Sequence, residues 1–199
     1  MSNLTIHGPL QSRALRTMWM CGELGLPFDS ATPTFRDGET RTPEYLALNP
    51  AGRVPTIQDG DFSMGESCAI NIYLAKKHGK LMPDNLQDEA RMLQWSFWVM
   101  TEVERAMLDY LFHGAMLPED QRDAAVATKA VADLQWPLDV INGYLADRQY
   151  LAGDDFTVAD LNVASVFMWG KLARLDMSAR PSLTAWLDRC LSRPAVPKR

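Results

Sequence analysis

Asn49-Pro50-Ala51-Gly52-Arg53-Val54-Pro55-Thr56-Ile57-Gln58-Asp59-Gly60-Asp61-Phe62-Ser63-Met64-Gly65-Glu66-Ser67-Cys68-Ala69-Ile70-Asn71-Ile72-Tyr73-Leu74-Ala75 is the stretch from which the chain can be read. Val54-Pro55-Thr56-Ile57 puts a proline at the entrance of a β-prone run, the place in a strand where a missing N–H does least harm. Asp59-Gly60-Asp61 is turn chemistry between two short runs, Thr56-Ile57 and Phe62-Ser63-Met64, and predicts a hairpin. Gly65-Glu66-Ser67 then leads into Ala69, Ile70, Tyr73 and Leu74 at helical spacing, with Ser67 as the candidate cap. A helix start directly after a strand suits an anion, because free N–H groups and the helix dipole point at it.

Working outward from there, Leu4–His7 reads as an opening strand and Gly8–Ser12 as a loop. Residues 12–24 read as a helix closed by Gly25. Pro27-Phe28-Asp29 begins a further extended run, and residues 34–41 are polar and irregular. Pro43–Leu48 suggests a short helix with proline near its start. The helix that begins at Ser67 should end at His78-Gly79. This order predicts a four-stranded mixed sheet in an α/β domain over residues 1–80.

Beyond the Lys80–Asn85 linker no strand pattern remains, and residues 86–199 read as an all-helical domain. Residues 88–113 read as one long helix, and residues 123–145 as a second, in which Pro137 predicts a kink or an interruption near Asp133 to Trp136. Thr157–Trp169 and Ser182–Ser192 follow, and the tail from Arg193 reads as loose. Thr157-Val158-Ala159-Asp160 has capping-box form, and Phe156 is placed to staple onto Leu161.

Composition bounds the function. The chain has 199 residues, is 47% hydrophobic and carries a net charge of −5. That balance speaks against nucleic acid or an anionic membrane as the main partner. Three cysteines without C-x-x-C or zinc spacing point to a reducing compartment and to no metal site. No signal peptide and no membrane-length apolar run are apparent, so the expected location is the cytoplasm.

Several segments in order carry a resemblance over nearly the whole length. They are Gly22–Pro27, Asn49-Pro50-x-Gly52-x-Val54-Pro55, Asp59-Gly60, Glu66-Ser67-x-Ala69-Ile70-x-x-Tyr73-Leu74 and Gly153-Asp154-x-Phe156-Thr157-x-Ala159-Asp160. On these the chain resembles the soluble glutathione transferases, of a bacterial-like kind that is neither tyrosine- nor cysteine-type. The resemblance implies a thioredoxin-like N-terminal domain, an all-α C-terminal domain, glutathione as co-substrate and a homodimer. It implies that Pro55 is cis and that Val54 offers a strand edge to the ligand's cysteinyl segment, a small case of β-augmentation. Without it, a trans proline that merely starts a strand is the simpler reading.

The same resemblance assigns Ser67 to the γ-glutamyl carboxylate, Glu66 to the ligand ammonium and Arg53 to the glycyl carboxylate. Capping by Ser67, first-turn charge at Glu66 and a solvated Arg53 are the plain readings beside these. A thiolate-stabilising group is expected before the first helix. Tyrosine is absent there, since His7 holds that position, and no cysteine lies in the loop. Ser12 is the nearest hydroxyl, with Arg13 as thiolate support and Gln11 as a further polar donor. As a plain helix cap, Ser12 is equally well explained.

The hydrophobic second substrate is expected along the long helix of the second half, where Trp95, Trp98, Met100, Thr101, Glu102, Arg105 and Met107 are candidates and Trp98, Glu102 and Arg105 share one helical face. Packing alone also explains most such stripes. The reaction implied is conjugation of the glutathione thiolate to a hydrophobic electrophile, a detoxification chemistry. Peroxide or disulfide reduction on the same site, and a non-catalytic glutathione-binding relative, are the alternatives.

Overall fold

A computed structural model describes residues 3–33 and 38–198. The irregular segment expected at residues 34–41 thus lies partly outside the described residues; its far end, Glu39–Arg41, is a turn of 3-10 helix. Two compact units divide the chain, Met1–Met82 with Pro194–Arg199, and Pro83–Arg193. The tail read as loose from Arg193 belongs from Pro194 to the first unit, where Ala195 lies against Gly22 of the first helix.

In the first unit, strands β1 (Leu4–His7), β2 (Asp29–Ala31), β3 (Thr56–Asp59) and β4 (Phe62–Gly65) form one sheet in the order β2-β1-β3-β4. β1 pairs parallel with β2 and antiparallel with β3, and β3 pairs antiparallel with β4. Helix α1 (Ala14–Leu24) makes the crossover between the parallel strands and ends at left-handed Gly25. The predicted hairpin forms with Asp59 opposite Phe62, leaving Gly60 and Asp61 as a two-residue loop, and Gly60 takes a φ of 62°. That is the geometry two-residue hairpins favour. Ile6 of β1 faces Ile57 of β3, and both are fully buried against the helices.

Helix α2 (Pro43–Leu48) starts at Thr42, whose hydroxyl accepts from the Tyr45 N–H. Helix α3 (Ser67–His78) packs on α1 and ends at Gly79. Its N-cap is Glu66, not Ser67, so the capping role expected of Ser67 is corrected: it is the first helical residue, and its side chain turns elsewhere. Tyr73 and Lys77 reach from α3 to the Asp59 carboxylate at the end of β3, tying the helix to the hairpin.

Among the described residues of the second unit every regular element is a helix. The long helix expected at 88–113 is three pieces: α4 (Leu86–Trp98), a π turn at Val99–Val103, and α5 (Glu104–Leu111), followed by a second π turn at Phe112–Met116. Helix α6 (Ala124–Tyr144) runs through Pro137 without the predicted interruption. Pro137 itself is buried, whereas Asp133, whose carbonyl would have taken the missing N–H, is exposed to water. Helix α7 (Val158–Leu172) packs against α4, α5 and α8 (Pro181–Leu191) and is buried almost all round, as a helix apolar on every face must be.

The capping box at the start of α7 is present and larger than the sequence implied. The Asp160 carboxylate accepts from the Thr157 N–H at 3.0 Å, the Leu151 N–H at 3.0 Å and the Trp186 indole at 2.9 Å. Phe156 packs edge-on against Tyr150 and beneath the Arg193 guanidinium.

Candidate functional site

The geometry begins at Gly8, where β1 ends. A side chain there would meet Ala14 Cβ at 2.8 Å, Val54 Cβ at 3.1 Å and Ser12 Oγ at 3.4 Å, and the residue's φ is +145°. Only glycine fits such a place. Its absent side chain lets the start of α1 and the turn before β3 close on the same point, bringing Ser12 and Val54 together.

Ser12 is half-buried. Its hydroxyl donates to the Pro9 carbonyl at 2.7 Å and accepts from the Ala14 N–H at 3.1 Å. It therefore shapes the entry to α1, and to donate to a sulfur its proton must turn away from Pro9. Gln11 is exposed and Arg13 half-buried. Cys21, on the same helix, is no rival nucleophile: burial pushes its thiol up to about 12.

The Val54–Pro55 peptide is cis, and both residues are buried. The preceding peptide is held by residues the sequence reading left without a role. The Arg53 carbonyl accepts from Tyr45 Oη at 2.9 Å, Asn49 Nδ2 at 3.1 Å and Thr56 Oγ1 at 3.0 Å. Thr56 Oγ1 in turn accepts from Asn49 Nδ2 at 3.0 Å and lies 3.0 Å from Tyr45 Oη, whose single proton serves either this oxygen or the Arg53 carbonyl. Burial raises the Tyr45 phenol above its usual range against the lowering effect of Thr56, so it stays protonated and donates. Asn49 was visible as part of the Asn49–Pro55 motif. Tyr45 and Thr56 carried no signal beyond their places in a short helix and a strand. Arg53 itself is exposed.

Glu66 is exposed and has a φ of 67°, an uncommon value for a residue with a side chain. Ser67 is buried at the first position of α3, and its Oγ accepts from Arg16 Nη1 at 3.2 Å. Arg16 was also missed. Its one signal is that α1 is buried nearly all round, which forces an arginine in it to be buried as well. His7, read as a plain strand-end residue, bonds Gln58 at 2.8 Å and meets Tyr45 edge-on. A cavity of about 430 Å³ lies beside this pair, lined among others by Pro33, Glu39, Thr42 and Leu48. None of Gln11, Ser12, Arg13, Arg53, Val54, Pro55, Glu66 or Ser67 lines it.

Of the residues expected to meet the second substrate, Trp98 ends α4 and packs edge-on against Trp95 at 4.9 Å. Thr101 and Glu102 lie exposed in the π turn, with the Thr101 hydroxyl donating back to the Phe97 carbonyl. Arg105 is exposed and pairs with Asp109 at 2.8 Å. The Glu104 N–H reaches back to the Val99 carbonyl, one residue further than in an α-helix. The shared face expected from a 3.6-residue period thus does not carry across this wider turn.

Comparison with known proteins places the chain by family and fold. The family profile described as "Glutathione S-transferase, N-terminal domain" matches residues 12–77, and that described as "Glutathione S-transferase, C-terminal domain" matches residues 103–194. Glutathione S-transferase 3 of Zea mays is 33% identical, over 100% of this chain and 93% of its own length. Glutathione S-transferase theta-1 of Bos taurus is 32% identical, over 94% of this chain and 81% of its own. Among solved structures, the theta class glutathione S-transferase of Xanthomonas axonopodis pv. citri, determined with glutathione bound, superposes with a TM-score of 0.89 at 31% identity. The superposition covers 98% of this chain and 96% of that one. By sequence along its whole length and by fold, the chain belongs to the glutathione S-transferase family.

Proposed function

We propose that the chain is a glutathione transferase that joins the sulfur of glutathione to a hydrophobic electrophile. The observation that carries this is the convergence at Gly8 of a hydroxyl at the start of α1 and the strand edge before β3, within a unit whose α3 begins at Ser67. In this reading Val54 pairs with the cysteinyl backbone of glutathione, Ser67 and Glu66 take its γ-glutamyl end, and Arg53 takes its glycyl carboxylate. Ser12, supported by Arg13 and Gln11, donates to the sulfur and favours the thiolate over the thiol. The thiol proton leaves to solvent, the thiolate attacks the electrophilic carbon, and with an aryl halide the halide departs. No metal is needed.

Trp98, Thr101, Glu102 and Arg105 are assigned to the electrophile. The active form is taken to be a homodimer in the cytoplasm. Among the described residues no helix is long and apolar enough to cross a membrane. Retention on immobilised glutathione, followed by parallel assays with an aryl halide, a hydroperoxide and a mixed disulfide, tests the reading. Conjugation should exceed both reductions. A protein that passes through the glutathione matrix and conjugates nothing refutes it.

A further inference from the structure

We propose that Arg16 is a positioning residue for the carboxylate bound at the start of α3, acting through the Ser67 hydroxyl. The inference rests on the glutathione reading above and adds a residue to it. Arg16 is 1% exposed and Ser67 3%, and the two meet from α1 and α3 across 51 residues of sequence.

The direction of the bond decides what Ser67 can do. A serine hydroxyl has one proton to give and two lone pairs to fill. The Arg16 guanidinium carries N–H donors and no acceptor, so it can only donate. With Nη1 donating into Oγ, one lone pair is occupied from the interior side and the hydroxyl proton is available to an acceptor elsewhere. Ser67 does not cap its own helix, since the N-cap is Glu66, so this hydroxyl is not committed to the first turn. Charge acts in the same sense. A guanidinium beside the first residue of α3 adds a full positive charge to the partial one of the helix start, and both favour an anion.

The test uses the intact protein and two ligands in isothermal titration calorimetry. One is glutathione; the other is its analogue with a 4-aminobutyryl group in place of γ-glutamyl, identical except for the missing α-carboxylate. Arg16→Met should weaken glutathione binding by about tenfold to a hundredfold, the range for a hydrogen bond to a charged group, and leave the analogue within about twofold of wild type. Arg16→Lys should recover part of the loss. In a Ser67→Ala background, Arg16→Met should have little further effect on glutathione. Equal losses on both ligands would assign Arg16 a merely structural role and overturn the proposal, as would unchanged glutathione affinity. A wild type that binds neither ligand overturns the glutathione reading itself. If Arg16→Met does not fold, Arg16→Lys and Ser67→Ala decide between the same outcomes with the same ligand pair.

Discussion

Replacing Asp160 tests the framework of the second unit most directly. This carboxylate has no exposed surface, and the groups it serves, Leu151, Thr157 and Trp186, are themselves nearly or fully buried. Asp160→Ala leaves the Leu151 N–H, the Thr157 N–H and the Trp186 indole N–H without an acceptor in a dry interior. Each stranded donor costs about 1–3 kcal/mol, and an emptied carboxylate volume adds to that. Relief from burying the charge works the other way. Burial pushes the carboxyl up to about 6, although Thr157, Trp186 and Leu151 all lower it. Held ionised at neutral pH, the group therefore gives back about 3 kcal/mol by linkage. The net loss expected for Asp160→Ala is about 3–5 kcal/mol, the range seen when one member of a buried polar set is removed.

Urea unfolding across pH checks both terms. The folded protein holds the Asp160 proton more tightly than the unfolded chain does. Its contribution is full below the ordinary carboxylate range and is lost as pH rises to about 6. Asp160→Asn keeps an acceptor for Leu151 and Trp186, cannot ionise, and turns an amide toward the Thr157 N–H. The stability gap between wild type and Asp160→Asn should therefore be wider near pH 4 than near pH 7, by about 2 kcal/mol, since the unfolded carboxyl is itself partly ionised at pH 4. A gap that is constant or widens upward in pH refutes the argument about charge. An Asp160→Ala protein within about 1 kcal/mol of wild type at pH 7 refutes the argument about stranded donors.

Ser12→Ala should raise the thiol pKa of bound glutathione by about one unit or more and lower turnover, read by ultraviolet thiolate absorbance alongside an aryl-halide assay. Unchanged values would leave Ser12 as a helix-entry residue and shift attention to Gln11 and Arg13. Gly65→Ala places a methyl 2.6 Å from Asn49 Nδ2. It should push the amide off the Arg53 carbonyl, with a loss of about 1–3 kcal/mol in urea and weaker retention on immobilised glutathione. Asp59 should show the opposite pH dependence to Asp160. Burial opposes its charge, but the Lys77 and Tyr73 contacts outweigh this and lower its pKa, so its contribution is present at neutral pH and lost as pH falls below the ordinary carboxylate range. Asp59→Asn should be less stable than wild type at neutral pH, with the difference closing in acid; a difference that grows in acid would contradict the assignment.

The parts of the fold that were legible in the sequence are those set by local chemistry. Gly25 and Gly79 close helices because each takes a left-handed conformation, and Gly60 makes the hairpin for the same reason. Thr157 and Asp160 were readable because a capping box lies within four consecutive residues. What escaped depends on partners far along the chain. Arg16 meets Ser67 across 51 positions, and Trp186 meets Asp160 across 26. No periodicity announces either pair. The π turn at Val99–Val103 escaped for a different reason: an apolar pattern at helical spacing continues through it, and an extra residue in one turn leaves hardly a trace in composition. Ser67 was misassigned as a cap because a serine before an apolar helical run has that meaning in most chains, whereas here a buried guanidinium claims its oxygen.

The Arg53 carbonyl shows why the proposed glutathione site is easier to read from the sequence than the proposed electrophile positions. A strand edge pairs with a peptide only if the backbone beside it cannot turn. Here three side chains converge on one carbonyl oxygen, which has two lone pairs, and they also bond one another. Asn49 can give one amide proton to Arg53 and the other to Thr56, while the Thr56 hydroxyl returns its own proton to Arg53. Rotating that peptide would break the whole set at once, so the ring of bonds holds the backbone ahead of Val54 in place before any ligand arrives. Such a device needs particular residue types at particular places, and Asn49 accordingly stands inside a readable motif. Thr101, Glu102 and Arg105 lie exposed in and beside a widened helical turn, where side chains can change without disturbing a buried network, and half-buried Trp98 ends the helix before it. Substrate preference should therefore move with substitutions at these positions while glutathione affinity stays fixed, and the reverse should hold at Asn49 and Thr56.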